Sequence, residues 1–173
     1  MKKISFCPIC ATPFVRRKVD KMFRLVCPSC SFIFYRNSKP CVGALILSGS
    51  SKEILLTRRA FPPKAGTWDI PGGFLENGED PVEGLKREIL EELGVPCRVG
   101  SLFKIGIDVY RDGEFTLNLF YFVKLLGKVK KVSDDVSEFA FFPLNKLPKN
   151  IGFNFAKKVL KELAGRVLPA HAK

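Results

Sequence analysis

The sequence lacks a long apolar run. No stretch approaches the roughly 20 residues that a helix needs to span a bilayer, and the longest candidates contain Lys or Asp. The first residues, 1–7, hold two lysines but neither a long apolar stretch nor a small-residue cleavage site, so they do not resemble a signal peptide. Internal repeats and low-complexity tracts are also missing. These absences argue against a membrane or secreted protein, and we expect a cytoplasmic one.

Acidic residues are few overall, but they are not few everywhere. The 173 residues include 29 Lys and Arg against 17 Asp and Glu, which gives a net charge of +12. Residues 1–40 carry nine basic residues and one acidic residue. Residues 41–123 carry nine basic and twelve acidic residues, and residues 124–173 carry eleven basic and four acidic residues. Basic flanks attract phosphate on a nucleotide, on RNA or on a membrane surface. The charge therefore favours an anionic partner without identifying it.

Four of the six cysteines lie in residues 1–39, as two C-x2-C pairs separated by sixteen residues. Such pairs are typical of a structural zinc site, in which four thiolates complete a tetrahedron and no histidine is needed. A module of this size cannot bury enough surface to fold unaided, whereas zinc contributes on the order of 10 kcal/mol. Disulfides and buried free thiols are the alternatives, and disulfides are disfavoured in the cytosol. We predict Zn²⁺ bound by Cys7, Cys10, Cys27 and Cys30 in a module that resembles a zinc ribbon.

From residue 40 onward, the apolar patterns predict several strands and two helices. Asp80 is a suitable N-cap for the first helix, Pro81 takes its first position, and Gly94 ends it. Asp112-Gly113 between two β-rich runs predicts a hairpin. We expect Trp68 and the isolated Cys41 and Cys97 in a core, and strands around two helices indicate a mixed α/β sandwich. The predicted elements are strands at about 41–47, 53–58, 68–70, 102–111, 114–126 and 138–142, and helices at 81–93 and 153–164.

Three glutamates of the first helix, Glu88, Glu91 and Glu92, stand three and four residues apart and share one face. We expect this face to lie roughly opposite the helix's apolar stripe. Like charges so arranged repel each other by a few tenths of a kcal/mol per pair. Mg²⁺ or Mn²⁺ prefers carboxylate oxygens and would offset this repulsion beside a phosphate. A solvated acidic face is the alternative, and the acids alone do not decide between the two.

The spacing around these glutamates resembles a known family. Residues 73–95 match G-x5-E-x7-R-E-U-x-E-E-x-G-U, with U aliphatic, at every specified position, and this pattern is the Nudix box. The resemblance covers residues 40–165. With the zinc ribbon ahead of it, the chain is similar to the NADH pyrophosphatase and ADP-ribose pyrophosphatase group. The resemblance implies a Nudix α/β/α sandwich with a mixed sheet in residues 40–173, preceded by a small zinc ribbon in residues 1–39.

The resemblance also implies roles for individual residues. Glu88, Glu91 and Glu92 become catalytic residues and ligands of Mg²⁺ or Mn²⁺. Gly73 would lend its carbonyl or permit a close backbone approach, and Arg87 would pair with Glu79 to orient the loop and the helix.

Residues outside the box are implicated by their position. Family members often supply a further carboxylate just before a late strand, a place held here by Asp135, with Glu138 as the nearby substitute. Arg58, with its neighbours Arg59 and Lys64, flanks the loop and is a candidate for contacting phosphate.

The implied activity is a metal-dependent pyrophosphatase that hydrolyses a nucleoside diphosphate linked to another moiety. The products would be a nucleoside monophosphate and a second phosphate compound. The NADH pyrophosphatase group carries a Ser-Gln-Pro-Trp run soon after the box, and this chain has none. ADP-ribose or another nucleotide sugar, FAD and a dinucleoside polyphosphate therefore stay open beside NADH. A homodimer is implied by the resemblance alone.

Two other functions compete with this one. The first is an RNA-directed Nudix enzyme that removes a nucleotide cap while the basic zinc ribbon binds RNA. The second is a non-catalytic domain that senses a nucleotide, against which the intact box argues. The residues that would bind RNA are Arg16, Arg17, Lys18, Lys21 and Arg24.

Overall fold

The computed structural model describes residues 4–129 and 133–167. The chain divides into two compact units, Met1–Asn37 and Ser38–Lys173. Within the described ranges, neither helix has the length and apolar content required to cross a membrane.

The first unit is built on a three-stranded antiparallel sheet, which the sequence patterns did not predict. Its strands are β1 (Val15–Val19), β2 (Met22–Val26) and β3 (Ile33–Phe34), in the order β1-β2-β3. Asp20 and Lys21 join the first two strands with left-handed φ angles of 49° and 66°. Two consecutive positive φ angles match the twist of an antiparallel pair, so this turn closes a tight hairpin.

The described residues of the second unit form seven strands in two sheets, and two helices. The elements are β4 (Lys39–Leu45), β5 (Glu53–Arg59), β6 (Trp68–Asp69), β7 (Gly72–Phe74), α1 (Pro81–Leu93), β8 (Cys97–Arg111), β9 (Glu114–Leu125), β10 (Val136–Pro143) and α2 (Asn154–Val167). One sheet has the order β7-β4-β9-β8 and the other β10-β5-β6. β4 pairs with β9 in parallel and with β7 antiparallel, so the sheet is mixed, as predicted.

The helices cover opposite sides of the strands. Because side chains alternate along a strand, β4 feeds two cores: Val42 and Ala44 pack with α1, whereas Leu45 packs with α2. The α1 core is centred on Leu85, Ile89 and Leu93, and the α2 core on Val159, Leu160 and Leu163. The α/β/α sandwich is therefore confirmed.

Helix α1 has the boundaries that its capping residues predicted. The carboxylate of Asp80 accepts hydrogen bonds from the backbone N–H groups of Val82 at 2.8 Å and Glu83 at 3.3 Å. Gly94 adopts φ 63°, and its N–H donates to the Leu90 carbonyl at 3.0 Å. These caps satisfy backbone N–H and C=O groups that a helix end otherwise leaves unpaired. They also fix where the helix begins and ends, and so the direction in which each acidic side chain points from its axis.

Some local predictions need correction. β7 was not predicted because its Gly-rich sequence has little strand propensity, yet it pairs with β4. Trp68 is only 8% exposed and Cys97 is buried, as predicted. Cys41 is half-buried, so its assignment to the core was wrong. It shares a face of β4 with Leu45 but lies nearer the start of the strand, where that face borders a cleft.

Candidate active site

A cleft of about 460 Å³ is lined by residues from both sheets of the second unit, from α1 and from the start of α2. Its side chains are strongly acidic although the whole chain carries +12. Among the described residues that line it, Arg59 is the sole basic one. It faces seven carboxylates, those of Asp69, Glu76, Glu88, Glu91, Glu92, Asp108 and Asp135.

The three box glutamates differ in burial because of their phase on α1. Each residue advances about 100° around a helix, which places Glu92 beside the apolar stripe, Glu88 at its border and Glu91 almost opposite it. The Glu88 side chain is accordingly 15% exposed and that of Glu91 58%. The expectation that all three lie opposite the stripe is thus correct for Glu91 alone. All three glutamates line the cleft, but the side chains of Glu88 and Glu92 are less exposed than that of Glu91.

Glu92 and Glu88 are carboxylates held in surroundings that disfavour their charge. An oxygen of Glu92 accepts a hydrogen bond from the Gly72 N–H at 3.0 Å, but burial raises the pKa of Glu92 to about 8, and the nearby charge of Glu88 acts in the same direction. Burial also raises the pKa of Glu88, against the opposing effect of Arg87. A hard divalent cation prefers this oxygen-only donor set and would relieve the repulsion, so the residues fit Mg²⁺ or Mn²⁺.

Gly73 lies where no side chain fits. A Cβ atom built on it would stand 2.4 Å from the carboxylate carbon of Glu88, well inside van der Waals contact. The neighbouring Gly72 has φ 139°, and a Cβ there would stand 2.1 Å from the Val42 carbonyl oxygen. The two glycines let β7 approach both β4 and the acidic face of α1.

Arg87 ties the loop before α1 to the acidic face. Its Nε and Nη2 donate to the two carboxylate oxygens of Glu79 at 2.8 and 2.9 Å, and Nη2 also donates to the Phe74 carbonyl at 3.1 Å. Nη1 donates to Glu88 at 2.9 Å and to Glu91 at 3.1 Å. All five N–H donors of a guanidinium are therefore used, and the side chain is held in one position.

Aromatic rings form another part of the cleft wall. The rings of Tyr110 and Phe153 are nearly parallel, 9° apart with centroids separated by 6.0 Å, and Phe74 meets Tyr110 edge-on at 5.2 Å. The Arg59 guanidinium lies 5.4 Å from the Phe153 ring centroid. Flat rings beside a cation suit a planar, partly anionic ligand, since bases stack on aromatic and guanidinium planes.

The four N-terminal cysteines converge in the first unit. Their sulfur atoms all lie within 4.8 Å of one another, and the Cys7–Cys30 and Cys10–Cys27 sulfurs are 3.6 and 3.4 Å apart. These separations exceed a disulfide bond of about 2 Å. They approach the roughly 3.8 Å that a tetrahedral zinc with Zn–S bonds of about 2.3 Å would impose. The donor set fits structural Zn²⁺.

The turns around these cysteines have zinc-knuckle geometry despite lacking the usual glycines. Ala11 and Ser31 adopt φ angles of 56° and 61°, and their N–H groups donate to the carbonyls of Cys7 and Cys27 at 2.9 and 3.0 Å. Ala11 and Ser31 thus adopt the left-handed backbone conformation that glycine normally supplies.

Comparison with known proteins identifies the family. A family model described as NUDIX domain matches residues 37–163, and a second, described as Nudix N-terminal, matches residues 5–36. This chain belongs to the Nudix family. The sequence resemblance is confirmed, and the similar proteins bear names of hydrolases and pyrophosphatases, so the chain is a Nudix hydrolase.

The relatives cover different shares of this Nudix hydrolase. An ADP-ribose pyrophosphatase of Methanocaldococcus jannaschii is 34% identical over 124 residues, 71% of this chain and 72% of that one. The NAD-capped RNA hydrolase NudC of Pseudomonas aeruginosa is 28% identical over 144 residues, and the chain spans about half, 49%, of its length. A crystal structure of a NUDIX hydrolase from Nitrosomonas europaea superposes with a TM-score of 0.80 at 28% identity, covering 93% of this chain and 90% of that one.

Of the site residues predicted outside the Nudix box, some line the cleft of the Nudix hydrolase and others lie on its surface. Asp135 lines the cleft, and its carbonyl accepts from the Ala60 N–H at 3.0 Å, which ties it to the end of β5. Glu138 and Arg58 are not among the described residues lining the cleft. They pair with each other at 3.4 Å, both largely exposed. Arg59, one residue along, occupies the cleft instead.

Sequence reasoning missed two half-buried aspartates that line the cleft, Asp69 and Asp108. Burial raises the pKa of Asp69 to about 7, although Arg59, 3.7 Å away, pulls it down. Asp108 accepts from the Phe155 N–H and so caps the start of α2. The alternation in the predicted strand 102–111 did group Asp108 with Tyr110, but nothing in the sequence indicated which face meets the cleft.

Proposed function

We propose that this Nudix hydrolase is a divalent-cation-dependent pyrophosphatase that cleaves a nucleoside diphosphate linked to another moiety. One observation carries the proposal: in a chain of net charge +12, the described lining of the cleft sets seven carboxylates against one arginine. A pyrophosphate cannot approach such a lining unless cations lie between the two. Magnesium sites of this kind use a few carboxylates together with substrate phosphates.

The chain's own residues prepare this site. Glu88 and Glu92 are the proposed principal ligands and Glu91 the outer one, because all three line the cleft but the Glu91 side chain is the most exposed. Bound cations would supply positive charge to the phosphate oxygens and promote attack by water. Arg87 holds Glu88 and Glu91 in place, and Gly73 allows the backbone to lie against Glu88. Burial favours a proton on Glu92, so a cation and a proton would compete for this carboxylate.

The aromatic rings and the arginine of the cleft indicate the substrate class. Tyr110, Phe153 and Phe74 offer ring surfaces for a base, and Arg59 offers charge to a phosphate or to a ring edge. We place ADP-ribose first among NADH, ADP-ribose, FAD and similar compounds. The M. jannaschii relative named as an ADP-ribose pyrophosphatase and the missing Ser-Gln-Pro-Trp run support this order.

A substrate screen tests the proposal. The zinc-loaded full chain, assayed with added Mg²⁺ or Mn²⁺, is expected to release AMP from ADP-ribose with a kcat/KM roughly tenfold above that for NADH, a ratio worth about 1.4 kcal/mol. Metal dependence is best shown by omitting the added ion, because a chelator would also attack the four-cysteine site. If neither metal produces a nucleoside monophosphate from any compound in the panel, the proposed function is wrong.

We further propose that Asp135 accepts the proton of the attacking water. Asp135→Asn is expected to lower kcat roughly 10²-fold or more with little change in KM, which is the usual scale of general-base catalysis. Glu138→Gln is the matched control, because Glu138 pairs with Arg58 away from the cleft, and it is expected to retain activity within about twofold. The opposite ranking in a steady-state assay of the two variants would transfer the role to Glu138.

Two expectations from the sequence stay predictions: the homodimer and the cytoplasmic location. The domain boundary at residues 39 and 40 is also retained as a proposal, two residues from the division between the compact units.

A further inference from the structure

The β1–β2 hairpin concentrates positive charge that its own unit does not neutralise. The register places Arg17 directly opposite Arg24 on one face, and like charges in that position destabilise a strand pair. Asp20, in the turn, is the acid nearest in sequence. Within the part of the chain that the structure describes, none of the hairpin's basic residues forms an ion pair with a carboxylate. An external anion would remove this unfavourable interaction.

Aromatic side chains are interleaved with these charges. Phe23 is 63% exposed and Tyr35 48% exposed. The Arg16 guanidinium lies 4.8 Å from the Phe23 ring centroid, and the Arg24 guanidinium lies 4.5 Å from that of Tyr35. Because neighbouring side chains of a strand point to opposite faces, the Arg24–Tyr35 pair shares the face of Arg17, whereas the Arg16–Phe23 pair lies on the other face. The face of Arg17 and Arg24 therefore presents a flat ring beside a flat cation.

Arg24 also retains a donor without a partner. Its Nε is buried, yet no acceptor among the described residues bonds to it. Leaving a buried donor unpaired is unfavourable, but an external ligand cannot reach this atom, so the more accessible Nη groups are the ones available to an anion. A phosphate oxygen between Arg17 and Arg24 would offset the repulsion of the two charges, and a base next to that phosphate would reach Tyr35.

We propose that the β1–β2 hairpin, with Tyr35, is a binding surface for single-stranded nucleic acid. Arg17 and Arg24 contact phosphates without reading sequence, and an unpaired base stacks on Tyr35. A duplex fits less well because its bases are already stacked on one another. A membrane surface supplies anions but no rings to stack, so the exposed aromatic residues favour nucleic acid.

The test measures binding of the full, zinc-loaded chain to a labelled 12-nucleotide oligo-U RNA by fluorescence anisotropy across salt concentrations. We expect log K to fall against log salt with a slope of about −2 or steeper, since each neutralised phosphate on a single strand contributes about −0.7. Single-stranded DNA of the same length is expected to bind within a few-fold, and the corresponding duplex more weakly. A flat salt dependence would overturn the proposal.

Two double variants distinguish binding at this surface from an effect of the overall positive charge. Arg17→Gln with Arg24→Gln is expected to weaken binding at least tenfold and to make the slope shallower by about 1.4. Lys157→Gln with Lys161→Gln removes the same charge from exposed positions of α2 and is expected to have little effect. Equal losses in both double variants would show that only net charge matters and would overturn the proposal. Zinc content, measured for each protein, shows whether the four-cysteine unit is retained.

A separate variant tests the contribution of base stacking to RNA binding. Tyr35→Leu keeps apolar bulk but removes the ring, and it is expected to weaken RNA binding roughly tenfold while leaving the salt slope and the affinity for polyphosphate unchanged. If Tyr35→Leu binds RNA like the parent, or if anionic phosphatidylserine vesicles bind better than RNA at equal charge, nucleic acid is not the partner of this surface. Hydrolysis of ADP-ribose is measured in parallel, so that failure of the binding proposal is distinguishable from failure of the proposed activity.

Discussion

Replacing Glu92 by Gln is expected to lower the rate of nucleotide hydrolysis by at least about 10²-fold while leaving the fold intact. Metal ions contribute several kcal/mol to such reactions, and each 1.4 kcal/mol or so corresponds to a factor of ten. The amide can still accept the hydrogen bond from Gly72 but no longer supplies a charge for a cation. Steady-state kinetics with Mn²⁺, together with Mn²⁺ binding by paramagnetic resonance, measures both effects.

The same substitution is expected to leave thermal stability without added metal unchanged or slightly raised. Burial disfavours the ionised form of Glu92, as its pKa of about 8 indicates, and the neighbouring charge of Glu88 adds to this. Without metal, burial favours the protonated carboxyl group, and the neutral amide of Gln resembles it, so the substitution costs the fold little and separates a functional role from a structural one. A large loss of stability would indicate that Glu92 serves packing instead.

Glu83→Gln is the matched control for Glu92→Gln. Glu83 lies on the same helix but pairs with Lys86 at 2.8 Å, is largely exposed, and is not among the described residues of the cleft. Its substitution removes the same charge and is expected to alter kcat and Mn²⁺ affinity less than twofold. If both variants lose activity alike, the overall charge of α1 matters rather than the position of Glu92.

Features set by residues close in the chain were predictable. Helix α1 has the predicted bounds because Asp80, Pro81 and Gly94 act within one turn of its ends. The four cysteines were predictable for a related reason, since each C-x2-C pair occupies a single tight turn. The glutamates were placed on one helix face from spacing alone, but the direction of that face depended on where the helix packs.

Features set by contacts distant in the chain were not predictable. Arg58 and Arg59 are neighbours on β5, and strand geometry sends neighbouring side chains to opposite faces. The sequence offered both as phosphate contacts, and only the pairing of β5 with β10 and β6 shows that Arg59 enters the cleft. Asp69 was overlooked for the same reason: its importance comes from burial, and the two-residue strand that holds it shows no pattern.

Cys27→Ser is expected to abolish zinc binding and unfold the first unit, the second of the two large effects. Zinc coordination contributes on the order of 10 kcal/mol, and few large side chains are buried in this unit, so nothing else can replace that contribution. In the described part of the unit, the buried apolar residues are Cys7, Val26 and Cys27, and two of these are the proposed ligands. Zinc content and the dispersion of amide NMR signals from residues 4–37 measure the outcome.

Hydrolysis of small nucleotides is expected to survive the loss of zinc, because both cores of the second unit consist of residues from Val42 onward. Cys97→Ser is the matched control: the same chemical change at a buried cysteine outside the cluster is expected to leave the zinc content unchanged. RNA binding through the hairpin should disappear with the unit that carries it, while kcat for ADP-ribose should change less than about threefold. A Cys27→Ser protein that keeps its zinc and its dispersed signals would contradict the four-thiolate site, because three thiolates would then suffice.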